Sequence, residues 1–345
     1  MVRIGDISVA ERKYEGPDLD YCLKLAPEIA ALLPTKPKYI VRFKLTQTHA
    51  EFANAIRRCL LDELPIKSMD YDEYDEKTAE ITDMYIAADY LKQQICLIPI
   101  EQQFEYDAVS IDFFAENKTP DIMELTTDHF KITRAGKPIP RVDVMERIVL
   151  GKLRPGSKVS VKGISVVSGI NKDHGGKYSA FAGTHYEILD AEPYDEDTGR
   201  GTPSLIADPH EFLLGYTTHR NMRKPLLALR QCCDTLIGRL SAIAEELDRI
   251  LSKHHHYSDL IQMETDRARR EFQIKGEGWT LMPLIARYCL ILAPTIAFVA
   301  PAIIHPEKNV GVLRIEHPDF LKLIKDAIAR AIADLKIVAA AVPDK

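Results

Sequence analysis

Residues 52–65 read FANAIRRCLLDELP. Phe52, Ala53, Ile56, Cys59, Leu60 and Leu64 recur at spacings of three and four, which puts them on one face of a helix that stops at Pro65. Just upstream, YIVRFKLTQ (39–47) alternates apolar and polar residues as a half-buried strand does. Thr48 and Glu51 have the spacing of a capping box for the helix start. The stretch therefore reads as a strand running straight into a core helix. That helix carries two adjacent arginines, Arg57 and Arg58, which point about 100° apart, so one face cannot use both. Two solvated charges are the plain reading. The sharper one is that they reach toward another chain.

Outward from this point, residues 1–35 stand apart as an N-terminal extension, and 66–82 read as a hairpin around the acidic DEYDEK. ADYLKQQICLIPI (88–100) reads as a short helix entering a strand. Residues 104–206 change texture to short β-like runs, with a Gly-rich loop at 168–183 and a polar connection at 190–204, and form a mostly β insertion. EFLLGYTT (211–218) returns to the first texture. A long helix follows, whose Leu226, Leu229, Cys233, Leu236, Leu240, Ile243, Leu247 and Ile250 hold a seam of alternating three- and four-residue steps. SKHHHYSD (252–259) is a linker. Beyond it come strands, a helix over about 280–292 capped by Thr280, further strands, and a last helix opened by Pro318 and Asp319. YCLILAPTIAFVAPAII (288–304) has no charge, but Pro294 and Pro301 interrupt it, so a helix end followed by a buried strand is expected rather than a membrane span. The final seam is Leu321, Ile324, Ile328, Ala331, Leu335 and Val338.

The expected class is α+β. A larger module (36–103 and 207–251) is interrupted by the insertion (104–206), and a smaller module occupies 260–345. A long helix with a narrow apolar seam needs a partner helix. Two such helices in one chain are expected to pack on each other as a pseudo-symmetric dimer. The chain is long enough for this, with 345 residues, 46% hydrophobic and 28% charged. A net charge of −6 argues against broad nucleic-acid binding. Six cysteines without a C-x-x-C pair read as reduced core residues, and the charges near the start do not suit a secretory leader.

These motifs resemble the assembly subunits of RNA polymerases: bacterial alpha, archaeal D and the third subunit of eukaryotic RNA polymerase II. FANAIRRCLLDELP is similar to the family's signature helix, ADYLKQQICLIPI to the following helix and strand, and residues 153–188 to its insertion. The last 90 or so residues resemble the smaller partner, archaeal L or the eleventh eukaryotic subunit. There GEGWTLMPLIARYCLI departs from the family's His-Thr-Leu-Gly-Asn, with Trp279 for the His and Met282-Pro283 for Gly-Asn. Both partners on one chain resemble the fused subunit of large cytoplasmic DNA viruses.

The resemblance implies a non-catalytic scaffold for transcription, with no catalytic residue of its own. The two large polymerase subunits dock on it, small polymerase subunits accompany them, and the chain acts as a monomer within the complex. The implied large-subunit contacts are Asn54, Arg57 and Arg58, Gln93 and Gln94 where relatives have His-Arg, and Gly169, Lys172 and His174 in the Gly-rich loop. The implied dimer seam is Phe52, Ile56, Leu60, Leu229, Leu236, Leu240, Ile243, Leu284, Ile324, Ile328 and Leu335. Mg²⁺ belongs to the large subunits. No extensive nucleic-acid contact and no membrane contact are expected, and the expected location is the cytoplasm, with the virion if the source is viral. The alternative is a stand-alone interaction or regulatory protein that keeps the fold.

Other motifs carry less. HHH at 254–256 lacks a ligand partner at zinc spacing and reads as exposed linker. His174 has no nucleophile or paired acid near it in sequence. DYDEYDE (70–76) alternates as a hairpin does and lacks the clustered aspartates of a two-metal site. No cysteine lies between Cys96 and Cys232, so the zinc or iron–sulfur site carried by many relatives' insertions is not expected. No P-loop, dinucleotide fingerprint or nucleophile elbow is present.

Overall fold

A computed structural model describes residues 2–12, 38–75, 77–83, 86–190, 209–218, 224–253, 260–265, 270–303 and 309–343, with positions 21, 23–26, 222 and 258. β1 (Arg3–Arg12) and β2 (Lys38–Thr46) precede α1 (Ala50–Arg58), which continues as a π-helical turn over Cys59–Glu63. Next come β3 (Ile66–Asp70), β4 (Ala79–Ile81), α2 (Ala88–Leu97), β5 (Val109–Glu116) and β6 (Met123–Thr126). β7 (Phe130–Arg134), β8 (Lys137–Pro138), α3 (Arg141–Val144), β9 (Val149–Leu153) and β10 (Lys158–Gly169) complete the middle of the chain. β11 (Phe181–Ile188), β12 (Glu211–Thr218) and α4 (Pro225–Lys253) follow. The chain then runs through β13 (Ile261–Thr265), β14 (Arg270–Lys275), α5 (Leu281–Leu292), β15 (Phe298–Ile303), β16 (Val310–Glu316) and α6 (Phe320–Ala341).

Two antiparallel four-stranded sheets have the same plan. The first runs β1-β2-β12-β11 and the last runs β13-β14-β16-β15. Each is first-second-fourth-third in its own chain order. In each, the second strand leads into a shorter helix (α1 or α5) and the fourth into a long one (α4 or α6). Alternation along β2 and β12 buries Val41, Phe43, Leu45, Phe212, Leu214 and Tyr216 on one face. The seam residues Leu229, Leu236, Leu240 and Ile243 of α4 and Ile324, Ile328 and Leu335 of α6 are fully buried where the two helices pack together. Phe52, Ile56, Leu60 and Leu284 join the same core, which runs through both halves without a break. Burying each such side chain contributes roughly 1.5–3 kcal/mol, so the pairing of α4 with α6 is a large share of what holds the halves together.

A second core lies between the sheet β3-β10-β5-β7-β8, helix α2 and the ribbon β6-β9. Its strands differ from the sequence expectation. β3 and β4 do not form a hairpin with each other. Both pair with β10, lying end to end along one edge, with Ile66 opposite Gly169 and Ile81 opposite Val159. Asp72, Tyr74 and Asp75 are exposed, so the acidic turn swings into water and the chain rejoins the same partner. These two strands therefore belong with the insertion's sheet. β11, assigned from sequence to the insertion, instead pairs with β12 in the first sheet.

Four further expectations change. Residues 3–12 are not an appendage: they form β1, paired with β2 from Arg3–Thr46 to Arg12–Lys38, and Val2 is buried in the main core. The cap of α1 is His49, not Thr48. Its Nδ1 accepts from the Phe52 N–H at 3.3 Å, while the Thr48 N–H donates to the His210 carbonyl. Thr280 precedes α5 but makes no side-chain cap, because its hydroxyl is used elsewhere. β15 is a half-exposed edge strand rather than a buried one, which accommodates Pro301. Among the described residues no helix is long and apolar enough to cross a membrane. The HHH linker, most of 13–37 and the connection at 191–208 lie outside the described residues.

Candidate functional site

The π turn after α1 inserts an extra residue per turn and delivers Glu63 to a buried position (8% exposed) where the two halves meet. Arg239 of α4 lies against it. Its Nη1 donates to Glu63, and its Nη2 and Nε donate to the two carboxylate oxygens of Glu277, the Nε bond at 2.9 Å. Glu277 sits in the turn before α5, so one guanidinium ties the π turn, α4 and the second half. Burial works against the charge on Arg239, but hydrogen bonds and attraction from Glu277 and Glu63 outweigh it and push the guanidinium further up. Burial also pushes the Glu277 carboxyl up, against the hydrogen bonds from Arg239, and the nearby Glu63 carboxylate adds to the push. Thr280 extends the network: its hydroxyl donates to Glu63 at 2.6 Å and accepts from Arg58 Nε at 3.2 Å.

The loop after β10 closes over this junction. The Lys172 N–H donates to the Asp62 carbonyl at 3.0 Å, and Asn171 Nδ2 donates to the Asp62 carboxylate at 3.1 Å. Lys172 Nζ donates to Asn309 Oδ1 at 2.8 Å, so the loop also holds the second half. A cavity of about 260 Å³ remains, lined by Glu63, Ile170, Lys172, Arg239 and Gly276.

The residues proposed from sequence distribute as follows. Asn54 Oδ1 accepts from Arg57 Nε and Nη2 at 3.0 and 2.9 Å, both on the half-buried flank of α1. Arg58 points to Thr280, and Lys172 lies at the cavity. His174 is exposed in the loop and contacts the Gly175 carbonyl at 3.2 Å. Gln93 is exposed and Gln94 half-buried on α2, whose Leu97 packs so near the loop that a Cβ on Gly176 would lie 3.3 Å from it. Gly169 is required by packing: a Cβ there would lie 2.4 Å from the Tyr178 ring. Gly169→Ala is therefore expected to destabilise by about 1–3 kcal/mol. Gly175→Ala, with nothing within 4 Å of the added Cβ, should leave the thermal midpoint unchanged. Equal midpoints for both variants would contradict this packing.

Glu63, Arg239, Glu277 and Thr280 escape a local reading. The one signal is Arg239, a charge directly before seam residue Leu240, which marks the helix flank but not its partners. Among the described residues no group of three His, Cys, Asp or Glu side chains stands together to hold a metal.

Comparisons with known proteins follow the same outline. The chain is 24% identical over 346 aligned positions to a DNA-directed RNA polymerase RPB3-11 homolog of African swine fever virus (isolate Warthog/Namibia/Wart80/1980), covering 94% of this chain and 93% of that protein. The homolog from isolate Tick/Malawi/Lil 20-1/1983 is 23% identical over 336 positions, covering 92% and 91%. DNA-directed RNA polymerase subunit Rpo3 of Pyrococcus furiosus is 29% identical over 117 positions, 31% of this chain and 43% of that protein. No family model matches the chain. The similarity supports a general role as a polymerase assembly subunit.

Proposed function

We propose that this chain is the non-catalytic assembly platform of a multisubunit DNA-directed RNA polymerase, an intramolecular pseudo-dimer on which two large catalytic subunits dock. The repeated strand order of the two four-stranded sheets, joined by α4 packed on α6, is the observation that carries this. Full-length similarity to proteins named RPB3-11 homolog supports the same reading. Tethering the halves gives an effective concentration of order millimolar for a short linker, so the pair forms without a diffusional search. Its larger module comprises the first sheet with α1 and α4, its insertion the second core, and its smaller module the last sheet with α5 and α6. The docking face includes Asn54, Arg57 and Arg58, the loop with Gly169, Lys172 and His174, and Gln93 and Gln94 on α2. The complex works in the cytoplasm and, for a viral source, is carried in the virion.

Affinity isolation of the tagged chain from its native source, followed by mass spectrometry, tests this. Two polypeptides above about 100 kDa at one-to-one stoichiometry are expected, since standard recognition surfaces of this kind are stable enough to survive isolation. Arg58→Ala, which keeps the core, should lower the recovery of both severalfold. Recovery of the chain alone, or with unrelated proteins only, would instead favour a stand-alone interaction protein.

A further inference from the structure

Two thiols in the main core trade hydrogen bonds between helices. Cys59 is the first residue of the π turn that continues α1, and Cys232 lies in α4. Both are 0% exposed. Cys59 Sγ donates to the Cys232 carbonyl at 3.7 Å, and Cys232 Sγ donates to the Ile56 carbonyl, just before Cys59 on α1, at 3.5 Å. The two side chains also hydrogen-bond to each other. Each sulfur thus reaches the backbone of the opposite helix, so both side chains enter the same gap, as a disulfide requires. Burial, helped by the neighbouring Cys59, pushes the Cys232 thiol up, so it stands protonated in this contact.

The other described cysteines do not share this arrangement. Cys96 turns its thiol to the Asp70 carboxylate at 3.8 Å. Cys289 belongs to α5 in the second half. Cys233, next along α4, points about 100° away from Cys232. It is equally buried, and Cys59 lies near enough to add to the push that burial gives its thiol, which makes Cys233 the rival partner for Cys59.

We propose that Cys59 and Cys232 form a redox modification site, in which exchange with a low-molecular-weight disulfide such as glutathione disulfide joins them and latches the end of α1 to α4. One cysteine thiolate attacks glutathione disulfide and expels a glutathione thiolate. The second cysteine then attacks the protein sulfur of the mixed disulfide and expels the other glutathione. The two cysteines give up two protons and two electrons, and the small disulfide becomes two thiols. Neither sulfur meets solvent, so exchange runs through transient opening of the contact between α1 and α4, and the closed bond is shielded from reductants in the same way. The pair stays reduced where the glutathione pool is reduced and closes when that pool is oxidised. The joined residues stand 173 apart in sequence, with the whole insertion between them, so in the chain-entropy account the bond acts chiefly by restricting the unfolded chain. It also ties the turn that carries Glu63 to the helix that carries Arg239. None of this depends on the platform reading.

For the test, the purified full chain is incubated with glutathione disulfide below its thermal midpoint, alkylated in denaturant and digested with trypsin without reductant. Peptides 59–67 and 231–239 are expected as one species, lighter than the pair by two hydrogens and separated again by reduction. Cys59→Ser and Cys232→Ser should each abolish that species, and Cys233→Ser should retain it. Oxidation should raise the thermal midpoint of the unaltered chain by about 5 °C or more and leave that of Cys232→Ser in place. A species kept in Cys232→Ser and lost in Cys233→Ser would move the bond to Cys233 and overturn the proposal. Glutathione adducts alone would do the same, as would two free thiols after the α1 amides have exchanged with deuterium, the sign that the contact has opened. The peptide map of the unaltered chain decides the matter even where a serine variant fails to fold.

Discussion

Arg239→Ala should destabilise the protein by about 3–5 kcal/mol, read as a drop in the thermal or denaturant midpoint. The guanidinium is the shared counter-ion of two buried carboxylates, Glu63 and Glu277. Removing it leaves two buried carboxylates without the donor that holds both. The pH dependence gives a separate handle. The Glu277 carboxyl is already pushed up by burial in the intact protein. Without Arg239 its affinity for a proton climbs further, so the folded variant binds more protons than the unfolded chain. Stability then falls as pH rises from the ordinary carboxylate range through the folded value. The cost of Arg239→Ala should accordingly be greatest at neutral pH and smaller near pH 5. Replacing the three together, Arg239→Met with Glu63→Gln and Glu277→Gln, removes the uncompensated charge and should recover much of the loss. A pH-independent cost, or one below about 1 kcal/mol, would mean the network is a solvated surface pair.

The second large effect concerns the seam between the long helices. With a protease site placed in the linker between Lys253 and Ser258, cleavage should leave the two halves together on gel filtration and in native mass spectrometry. α4 and α6 bury an unbroken apolar seam against each other, and the core runs through both halves. Ile328→Asp buries a carboxylate at a position that is 0% exposed, among Leu and Ile side chains. Such a group costs several kcal/mol in this setting, more than most single substitutions. The cleaved variant should separate into halves or precipitate, while Lys336→Glu on the outer face of α6 (half-exposed or more by the helical period) should not. Separation of the cleaved unaltered protein would show that the linker, not the seam, holds the halves.

The two seams were legible in the sequence for a physical reason. A helix that packs along one stripe records its burial at every third or fourth residue, and no distant partner is needed to see it. The strand over 39–47 was legible in the same way, through the two-residue period. Pairing was not. Nothing local in RIGDISVAER states that it lies beside β2, or in IKSMD that it lies beside β10, because strand partners are chosen by long-range closure. Cap chemistry misled in a narrower way. Thr48 and Thr280 both have the right side chain in the right place, but His49 takes the first role, and Glu63 with Arg58 takes the hydroxyl of the second. Of the groups at the junction, Arg58 stood out as a charge on an apolar helix, and Lys172 only through the resemblance of its Gly-rich loop. The network beneath them did not, since Glu63, Arg239 and Glu277 lie far apart in sequence and meet only after folding.

The repeated strand order has a consequence for asymmetry. In a pair of identical chains related by a two-fold axis, every residue near the axis faces its own copy, so a cation there faces a cation and each binding face occurs twice. Within a single chain the two equivalent positions diverge independently. Arg239 can face Glu277 across the junction without any reciprocal pair, and Trp279 can appear on one side alone. The two halves of one polypeptide can therefore carry unlike surfaces at equivalent positions of the same strand plan, which a pair of identical chains cannot.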